Sequence, residues 1–332
     1  MENQKSKIKI FIILSLCILI VFSIASLFIG QYKLSISDTL SVLLNKSLDK
    51  TATNIIYNIR IPRTISAIVI GGALSVAGIT YQNVFRNSIA SQDILGASSG
   101  ACVGASIGIL LGLNFIYIQT IAFVTGCLTI LFAYLIANLL KAHKNISLIL
   151  SGVLVGGVMS SILGLIKYIA DPMQHLQTIV FWTMGDISNI DLIQLAYVMP
   201  FIIIGLVLII MLRWKLNYFS IENYDANSLG LNINLYRNIF VGSATLLISA
   251  SISIAGSIGW IGLAIPQLVR LIIGNNNDDT IILTMVFGSS FLLIVDIINR
   301  IISAAEIPIS IISGLIGLPL FIICILIDSI RN

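Results

Sequence analysis

Charge is the scarcest property of this 332-residue sequence. Only 10% of the residues are charged and 58% are hydrophobic, and the mean hydropathy is +1.05. About 25% of the residues of an ordinary soluble domain are charged, so this composition excludes a soluble domain. A helix needs roughly 20 apolar residues to cross a membrane, and runs of that length recur along the whole sequence. The composition predicts a single all-α transmembrane domain over residues 1–332.

Residues that carry catalysis or bind metals are also scarce. The sequence holds two histidines, far apart, and four cysteines that lie in apolar runs without CxxC spacing, so we interpret the cysteines as packing residues. No GxxxxGK[ST] or HExxH motif occurs. We therefore expect no catalytic residue, no metal site and no cofactor bound by this chain. No basic stretch with interleaved aromatic residues occurs, so we expect membrane lipid as a partner and no nucleic acid.

Ten apolar runs separated by charged or turn-forming clusters predict a compact bundle of about ten transmembrane helices. The stretch 238–273 is too long for one helix, and we divide it at Gly256–Gly259, which leaves a short eighth span. The predicted spans are residues 9–30, 61–82, 93–113, 115–140, 146–168, 192–213, 238–257, 259–273, 281–300 and 307–328.

An even number of spans places both termini on one side of the membrane. Lys5, Lys7 and Lys9 precede the first span and predict that this side is the cytoplasm, because cytoplasmic loops are enriched in basic residues. The net charge of +4 fits loops that face an anionic membrane surface. Seven basic residues then fall outside and need another explanation: Lys33, Lys46, Lys50, Arg60, Arg63, Lys167 and Arg300.

Two segments between spans are long enough to do more than connect them. The first is the outer loop of about residues 31–60. The second is a cytoplasmic segment of about residues 215–237, in which Asp and Asn residues followed by Gly230 predict a short surface helix. Such a helix is a suitable contact for a partner protein.

Small residues recur every four positions in two spans. The third span carries Gly96, Gly100, Gly104, Gly108 and Gly112, and the fifth carries Gly152, Gly156, Ser160 and Gly164. Small stripes let membrane helices approach closely, so we interpret both first as helix-packing surfaces. The fifth-span stripe and the tenth span near Ser310, Ser313, Gly314 and Gly317 are also candidates for the solute pathway.

Ionisable residues are absent from the predicted span centres, where each costs roughly 2.5 to 3.5 kcal/mol. Asp296, Arg300 and Glu306 lie near the outer ends of the last two spans, and Asp93 and Arg270 lie near inner ends. A transporter driven by an ion gradient would need such residues on its pathway. The sequence therefore favours an energy source on another subunit.

The order of several short motifs is similar to that of a known transporter family. The sequence resembles the iron-siderophore, haem and vitamin B12 permease family of binding-protein-dependent ABC importers, from about residue 10 to the C-terminus. The motifs are Arg60-Ile-Pro-Arg63, Gly71–Gly78, Phe85-Arg86-Asn87, Asp93–Gly100, Ser228-Leu-Gly230 with Tyr236-Arg237, Gly259–Arg270, Asp296–Arg300, Glu306-Ile-Pro308 and Gly314–Pro319.

This resemblance implies ten helices per subunit, a second permease subunit that is identical or paralogous, two cytoplasmic ATPase subunits that bind ATP and magnesium, and an extracytoplasmic solute-binding protein. It assigns docking of the binding protein to Arg60, Arg63 and Arg300, which would explain three of the outer basic residues. It also assigns contact with the ATPase to a coupling segment that contains Asp225, Ala226, Ser228, Leu229, Gly230 and Tyr236.

Three positions depart from the family pattern. Ser88 and Gln92 stand where prolines are common, and Gln267 stands where a histidine is frequent. Loss of two prolines predicts a less rigid inner turn after the second span.

The residues and the resemblance together favour an ABC importer permease that moves a metal chelate by alternating access. The chelate would be an iron-siderophore, haem, cobalamin or a similar compound. An importer permease for an oxyanion such as molybdate or tungstate is the alternative within this class. A secondary transporter driven by an ion gradient and a purely structural membrane protein are the alternatives outside it.

Overall fold

The structure, a computed structural model, describes residues 2–46, 49–140, 144–220, 232–274, 276–302 and 307–331. In these ranges the chain forms helices joined by turns, without a β-strand. The helices are α1 (Glu2–Phe28), α2 (Ile36–Leu43), α3 (Lys50–Asn54), α4 (Ile61–Phe85), α5 (Ala97–Leu110), α6 (Phe115–Leu139), α7 (Lys144–Ile169), α8 (Gln177–Thr183), α9 (Leu192–Leu212), α10 (Ile233–Ala255), α11 (Ile261–Ile273), α12 (Asn277–Ile302) and α13 (Ile309–Arg331).

Each of the ten predicted spans corresponds to one of these helices. Within the described ranges, eight helices are long and apolar enough to cross a membrane. The other two, α5 and α11, have 14 and 13 residues. At 1.5 Å per residue they reach about 20 Å, less than the roughly 30 Å of hydrocarbon, so each crosses only part of the membrane.

The long helices divide into an inner and an outer set. In α4, α10 and α12, 72–83% of the most apolar 18-residue stretch of the helix is buried inside the protein. In α1, α6, α7, α9 and α13, only 11–28% of the corresponding stretch is buried. Helix α4 packs against α10, α11 and α12. The outer helices expose large apolar side chains, as expected for surfaces that face lipid or another subunit.

Glycines allow the inner helices to touch through their backbones. A Cβ atom at Gly78 on α4 would overlap the carbonyl of Gly262 on α11, and one at Gly71 would lie 2.8 Å from the Cβ of Leu292 on α12. Any side chain at these positions would push the helices apart. The core of this bundle is therefore set by small residues as well as by apolar ones.

The outer loop of residues 31–60 is largely helical. Ser35 caps α2 and Asp49 caps α3, and a π-helical turn over Ile55–Arg60 leads directly into α4. The helix predicted within 215–237 and the predicted outer residue Glu306 lie mainly outside the described residues, which omit 221–231 and 303–306.

The bundle has two ends, which we name by their side chains. At the arginine end, the C-terminus of α1 meets the N-terminus of α4 and the C-terminus of α12, through bonds from Arg60 and Arg300. At the amide end, the C-terminus of α4 meets the N-terminus of α12 through Asn83 and Asn277. Helix α1 starts and α13 finishes at the amide end, so both termini share one end. That this end is cytoplasmic stays a prediction.

Candidate functional site

A buried cluster of charged side chains joins α4 to α12 at the arginine end. Asp296 accepts a hydrogen bond from Nε of Arg63 at 2.6 Å and another from Arg300. Asp296 is completely buried, and Arg63 and Arg300 are 3% and 6% exposed. Buried charges are stable only when they are paired and hydrogen-bonded, so these three side chains must act as one unit.

The sequence explains why these groups meet. Pro62 stands in the first turn of α4, where its fixed backbone angle suits the start of a helix, and Arg63 follows in the same turn. Asp296 and Arg300 are four residues apart on α12 and therefore lie on one helical face. Because α4 and α12 pack closely along their length, the two faces are brought together.

Arg60 completes the cluster without pairing to the aspartate. Its two terminal nitrogens donate to the backbone carbonyls of Leu27 at 2.6 Å and Tyr32 at 2.7 Å, and Arg300 donates to the carbonyl of Ser26 at 2.9 Å. The arginines therefore hold the end of α1 against the inner helices. The structure brings all three predicted docking residues together, but Arg60 is buried like the other two, with 3% of its surface exposed.

The cluster forms one wall of a cavity of about 860 Å³. Three guanidinium groups and the one carboxylate of Asp296 leave this wall with a formal charge of +2. Asp186 and Asp191 also line the cavity and accept hydrogen bonds from Ser188 and from the backbone of Gln194; they keep their negative charge, so the positive surplus belongs to the arginine wall and not to the cavity as a whole. The arginine wall thus offers positive charge to a ligand or protein that enters the cavity.

A second cavity of about 400 Å³ adjoins the first, and the two share Phe181, Asp186, Asn189 and Ile190. Its other wall includes Phe115 and the C-terminal residues of α10. We call the two cavities together the vestibule. It lies at the arginine end, beside the short helix α8.

The stripe predicted in the third span lies mostly against α6. A Cβ atom at Gly100 would lie 2.7 Å from Cβ of Thr129, and one at Gly104 would lie 2.8 Å from the carbonyl oxygen of Ile121. Gly108 faces Ile118 on the same helix. Gly112 follows the end of α5 in open space, with a positive φ of 63°.

The stripe predicted in the fifth span has two different parts. Gly152 and Gly156 lie against the backbone of residues 94–96, whereas no atom lies within 4 Å of a Cβ at Gly164. Ser160 is exposed, and its hydroxyl lies 3.2 Å from that of Ser99 on α5. This part of α7 therefore presents a small, hydroxyl-bearing face outside the subunit core.

The tenth-span candidates contact the turn between α10 and α11. Gly314 and Gly317 lie against the side chain of Trp260, and the hydroxyl of Ser313 donates to the carbonyl of Gly259 at 3.3 Å. The backbone N–H of Ser310 donates to the carbonyl of Met184 at 3.3 Å. These residues fix the 256–260 turn inside the bundle.

Most of the predicted coupling segment cannot be placed. Asp225, Ala226, Ser228, Leu229 and Gly230 lie outside the described residues. Tyr236 lies in the first turn of α10, and its ring centre is 5.0 Å from Nζ of Lys215, which is also 3.8 Å from the ring of Trp214. This cation–π cluster lies next to the segment.

Gln92 has a role that sequence reasoning missed. Its side chain is 1% exposed, and Nε2 donates to the carbonyl of Ile258 at 2.7 Å. The prediction of a less rigid inner turn took into account only the loss of proline at this position. The side chain that replaces the proline ties this turn to the 256–260 turn, and no local sequence signal indicates such a distant partner.

Comparison with known proteins identifies relatives over nearly the whole chain. The model of the FecCD transport family matches residues 18–327. The molybdate import system permease protein MolB of Haemophilus influenzae is 32% identical over 309 residues, which cover 92% of this chain and 91% of that protein. A permease of Helicobacter pylori named for an iron chelatin transport system is 31% identical over 310 residues, or 91% and 94%.

A solved structure agrees with these sequence matches. It is that of a transporter assigned to the metal-chelate ABC type, in an inward-facing conformation. Its TM-score to this chain is 0.87 at 30% identity, and the match covers 95% of this chain and 98% of the other.

Proposed function

The chain belongs to the FecCD transport family and is an ABC importer permease, and on that premise we propose that it moves a metal chelate across the cell membrane by alternating access. It is a multi-pass protein of that membrane. The proposed cargo is an iron-siderophore, haem, cobalamin or a similar chelate. The proposed assembly adds a second permease subunit, identical or paralogous, two cytoplasmic ATPase subunits that bind ATP and magnesium, and an extracytoplasmic binding protein.

The proposed docking site for the binding protein is the arginine cluster at the vestibule. Two arginines share one carboxylate, and the third is held by backbone carbonyls, so the wall keeps a surplus of positive charge. Acidic side chains of an incoming binding protein would supply the missing negative charge, and such complementarity fixes orientation and speeds encounter. Because Arg60, Arg63 and Arg300 are buried, the acidic groups must enter the cavity to reach them.

The proposed energy coupling takes place at the amide end. ATP closes the paired ATPase subunits, and the coupling segment, with Asp225, Ala226, Ser228, Leu229, Gly230 and Tyr236, carries that motion to α9 and α10, which it connects. The charged residues of the arginine cluster are locked in ion pairs and backbone bonds. This supports an external energy source, because an ion-coupled carrier would need a carboxylate that can exchange its cation.

The proposed pathway runs along the outer face of α7. Ser160 and Gly164 expose a hydroxyl and a backbone surface in a span whose other exposed residues are mainly large and apolar. A polar strip of this kind suits water and solute better than lipid. The second permease subunit would complete the pathway from the other side.

An oxyanion importer is the second candidate. One relative is named for molybdate and another for an iron chelatin, so the family alone does not select the cargo. The positive wall of the vestibule suits an oxyanion, whereas the combined size of the two cavities suits a chelate. The cargo itself is selected mainly by the binding protein.

ATP hydrolysis by the reconstituted assembly tests the proposal. The permease, its ATPase and its binding protein are placed in lipid nanodiscs, and hydrolysis is measured with the binding protein unloaded or loaded with ferric siderophore, haem, cobalamin or molybdate. We expect the protein loaded with its cargo to stimulate hydrolysis several-fold. An ATPase that does not associate with this chain, or a rate that ignores every loaded binding protein, would contradict the proposal.

A further inference from the structure

Lys167 is a basic residue at the arginine end that the proposed docking site leaves unexplained. It lies in the last turn of α7 and is partly buried. Cytoplasmic segments of membrane proteins hold the excess of lysine and arginine, and this end of the bundle is the predicted outer one. Lys167 therefore needs an explanation of its own, as the docking arginines did.

Lys167 lies on the same face of α7 as the exposed strip of small residues. Ser160, Gly164 and Lys167 follow one another at spacings of four and three positions, which places them on one side of a helix. Ser160 is exposed, and no atom lies within 4 Å of a Cβ at Gly157 or Gly164. The strip that forms the proposed pathway wall therefore ends in an ammonium group.

Lys167 also stands where the two candidate pathway helices, α7 and α13, are connected. Its Nζ donates to the hydroxyl of Thr183, the last residue of α8, at 3.3 Å. The carbonyl of the next residue, Met184, accepts the backbone N–H of Ser310 in α13 at 3.3 Å. The end of α8 thus joins Lys167 to the start of α13, so the polar residues of both helices approach one another here.

The ammonium group of Lys167 has no carboxylate partner among the described residues. Its hydrogen bond goes to the neutral hydroxyl of Thr183, whereas a lysine ammonium can donate three such bonds. Asp171 and Asp186 are the nearest carboxylates along the sequence, and they accept hydrogen bonds within their own turns. A partly buried charge is stabilised by an opposite charge, so Lys167 favours an anion that reaches it.

We infer that Lys167 is a cargo-binding residue of the pathway and that the cargo is an anion. A positive charge in a pathway attracts anions and raises their local concentration, and the C-terminal turn of a helix is a favourable place for such a charge. This inference rests on the proposed function and selects among its cargoes. Molybdate, haem with its propionates and a ferric tris-catecholate chelate fit, whereas neutral cobalamin does not.

Uptake and ATP hydrolysis measured on the same proteoliposomes test the inference. The vesicles contain this chain and its ATPase, and the binding protein is added outside with radiolabelled molybdate, haem, ferric tris-catecholate or cyanocobalamin. We expect ATP-dependent uptake of one of the three anions by wild type. Uptake of cyanocobalamin would overturn the assignment of an anionic cargo.

Four variants separate the charge of Lys167 from its hydrogen bond. Lys167→Met removes the charge, and we expect uptake per ATP hydrolysed to fall about tenfold. Lys167→Arg keeps the charge and should retain most of the uptake. Thr183→Val removes the hydrogen bond but keeps the ammonium group, so it should lower uptake much less than Lys167→Met. Tyr168→Leu changes the adjacent residue, which is 86% exposed, and should leave uptake unchanged.

Equal uptake per ATP by wild type and Lys167→Met would overturn the role of Lys167. Equal losses in Lys167→Met and Thr183→Val would overturn it as well, because the hydrogen bond and not the charge would then matter. Misfolding lowers uptake and hydrolysis together and cannot imitate the expected change in their ratio. Lys167→Gln removes the same charge and repeats the test if Lys167→Met does not assemble.

Failure of the inference differs from failure of the proposed function. If wild type took up no cargo with ATP, the proposed function itself would be contradicted. If wild type transported its cargo and Lys167→Met did so equally well, only the inference about Lys167 would fall.

Discussion

Nε of Arg63 on α4 lies 2.6 Å from Oδ1 of Asp296 on α12, and both groups are buried. The two residues are 233 positions apart in the sequence. Arg300 shares the same carboxylate, so a single aspartate pairs with two guanidinium groups. The start of the second predicted span is thereby fixed to the end of the ninth.

Asp296→Asn should destabilise the protein strongly. The amide keeps the size of the side chain but leaves two buried guanidinium groups without their carboxylate, which costs about 3–5 kcal/mol. Thermal unfolding of the purified protein in detergent measures the loss. Asp278→Asn, in the first turn of the same helix, should change the midpoint little, and equal midpoints for the two variants would contradict the role of Asp296.

Arg60→Gln is the variant best suited to test docking. Arg63 is less suitable, because its replacement leaves the buried charge of Asp296 with one partner fewer, whereas Gln at position 60 can still donate to one of the two backbone carbonyls that Arg60 contacts. Arg60 donates to two backbone carbonyls and forms no ion pair among the described residues, so we expect Arg60→Gln to leave an assembled permease–ATPase complex that binds its loaded binding protein about tenfold more weakly. Surface plasmon resonance at several salt concentrations measures this affinity.

Lys33→Gln is the control for docking, because Lys33 is an exposed cation at the same end of the chain's bundle. It should have less effect than Arg60→Gln, since exposed single charges contribute at most about 1 kcal/mol. Unchanged affinity in Arg60→Gln would remove Arg60 from the docking site.

The inner turn after α4 offers two substitutions with opposite expected effects. The N–H of Ala90 donates to the carbonyl of Asn87 at 3.0 Å, which places Ser88 at the second position of a β-turn, where proline is favoured. Ser88→Pro should therefore stabilise the protein by about 0.4–1 kcal/mol. Gln92→Met should destabilise it by about 1–3 kcal/mol, because the buried carbonyl of Ile258 loses its donor.

Thermal unfolding of these two variants and of wild type in one detergent checks both signs. If Gln92→Met unfolded at the same temperature as wild type, the hydrogen bond from Gln92 to Ile258 would contribute no net stability. The bond would then not explain why glutamine stands at this position in place of proline.

The glycine stripes give a matched pair of alanine substitutions. Gly100→Ala would place a methyl group against Thr129 on α6, and overpacking of this kind typically costs 1–3 kcal/mol. Gly164→Ala enters open space and should stabilise α7 by about 0.5–1 kcal/mol. Unfolding midpoints measure both effects, and a loss of stability in Gly164→Ala would show that this face packs within the subunit.

Much of the fold could be predicted from apolar run length, because hydrocarbon thickness sets how long a spanning helix must be. All ten apolar helices were found this way, the eighth by its glycines, although only eight of them are long enough to cross a membrane, and the family resemblance is confirmed. The short reach of α5 was missed because Ile94-Leu95-Gly96 before it and Leu111-Gly112-Leu113 after it continue the apolar run, and hydropathy alone does not separate turn from helix.

The site could be predicted only in part. Motif resemblance selected Arg60, Arg63 and Arg300, and the apolar runs placed Asp296 and Arg300 near the outer end of one span. The ion pair of Asp296 with Arg63, the hydrogen bond of Gln92 to Ile258 and that of Asn83 to Asn277 all join residues distant in sequence. Such contacts depend on how the helices pack, which a single sequence does not reveal.

Uptake into proteoliposomes tests the central claim most directly. The vesicles contain this chain and its ATPase, and the loaded binding protein is added outside with radiolabelled ferric siderophore, haem, cobalamin or molybdate. Our account predicts accumulation of one metal chelate only when ATP and magnesium are enclosed, with no response to an imposed ion gradient. Uptake that follows the ion gradient and ignores enclosed ATP would contradict it.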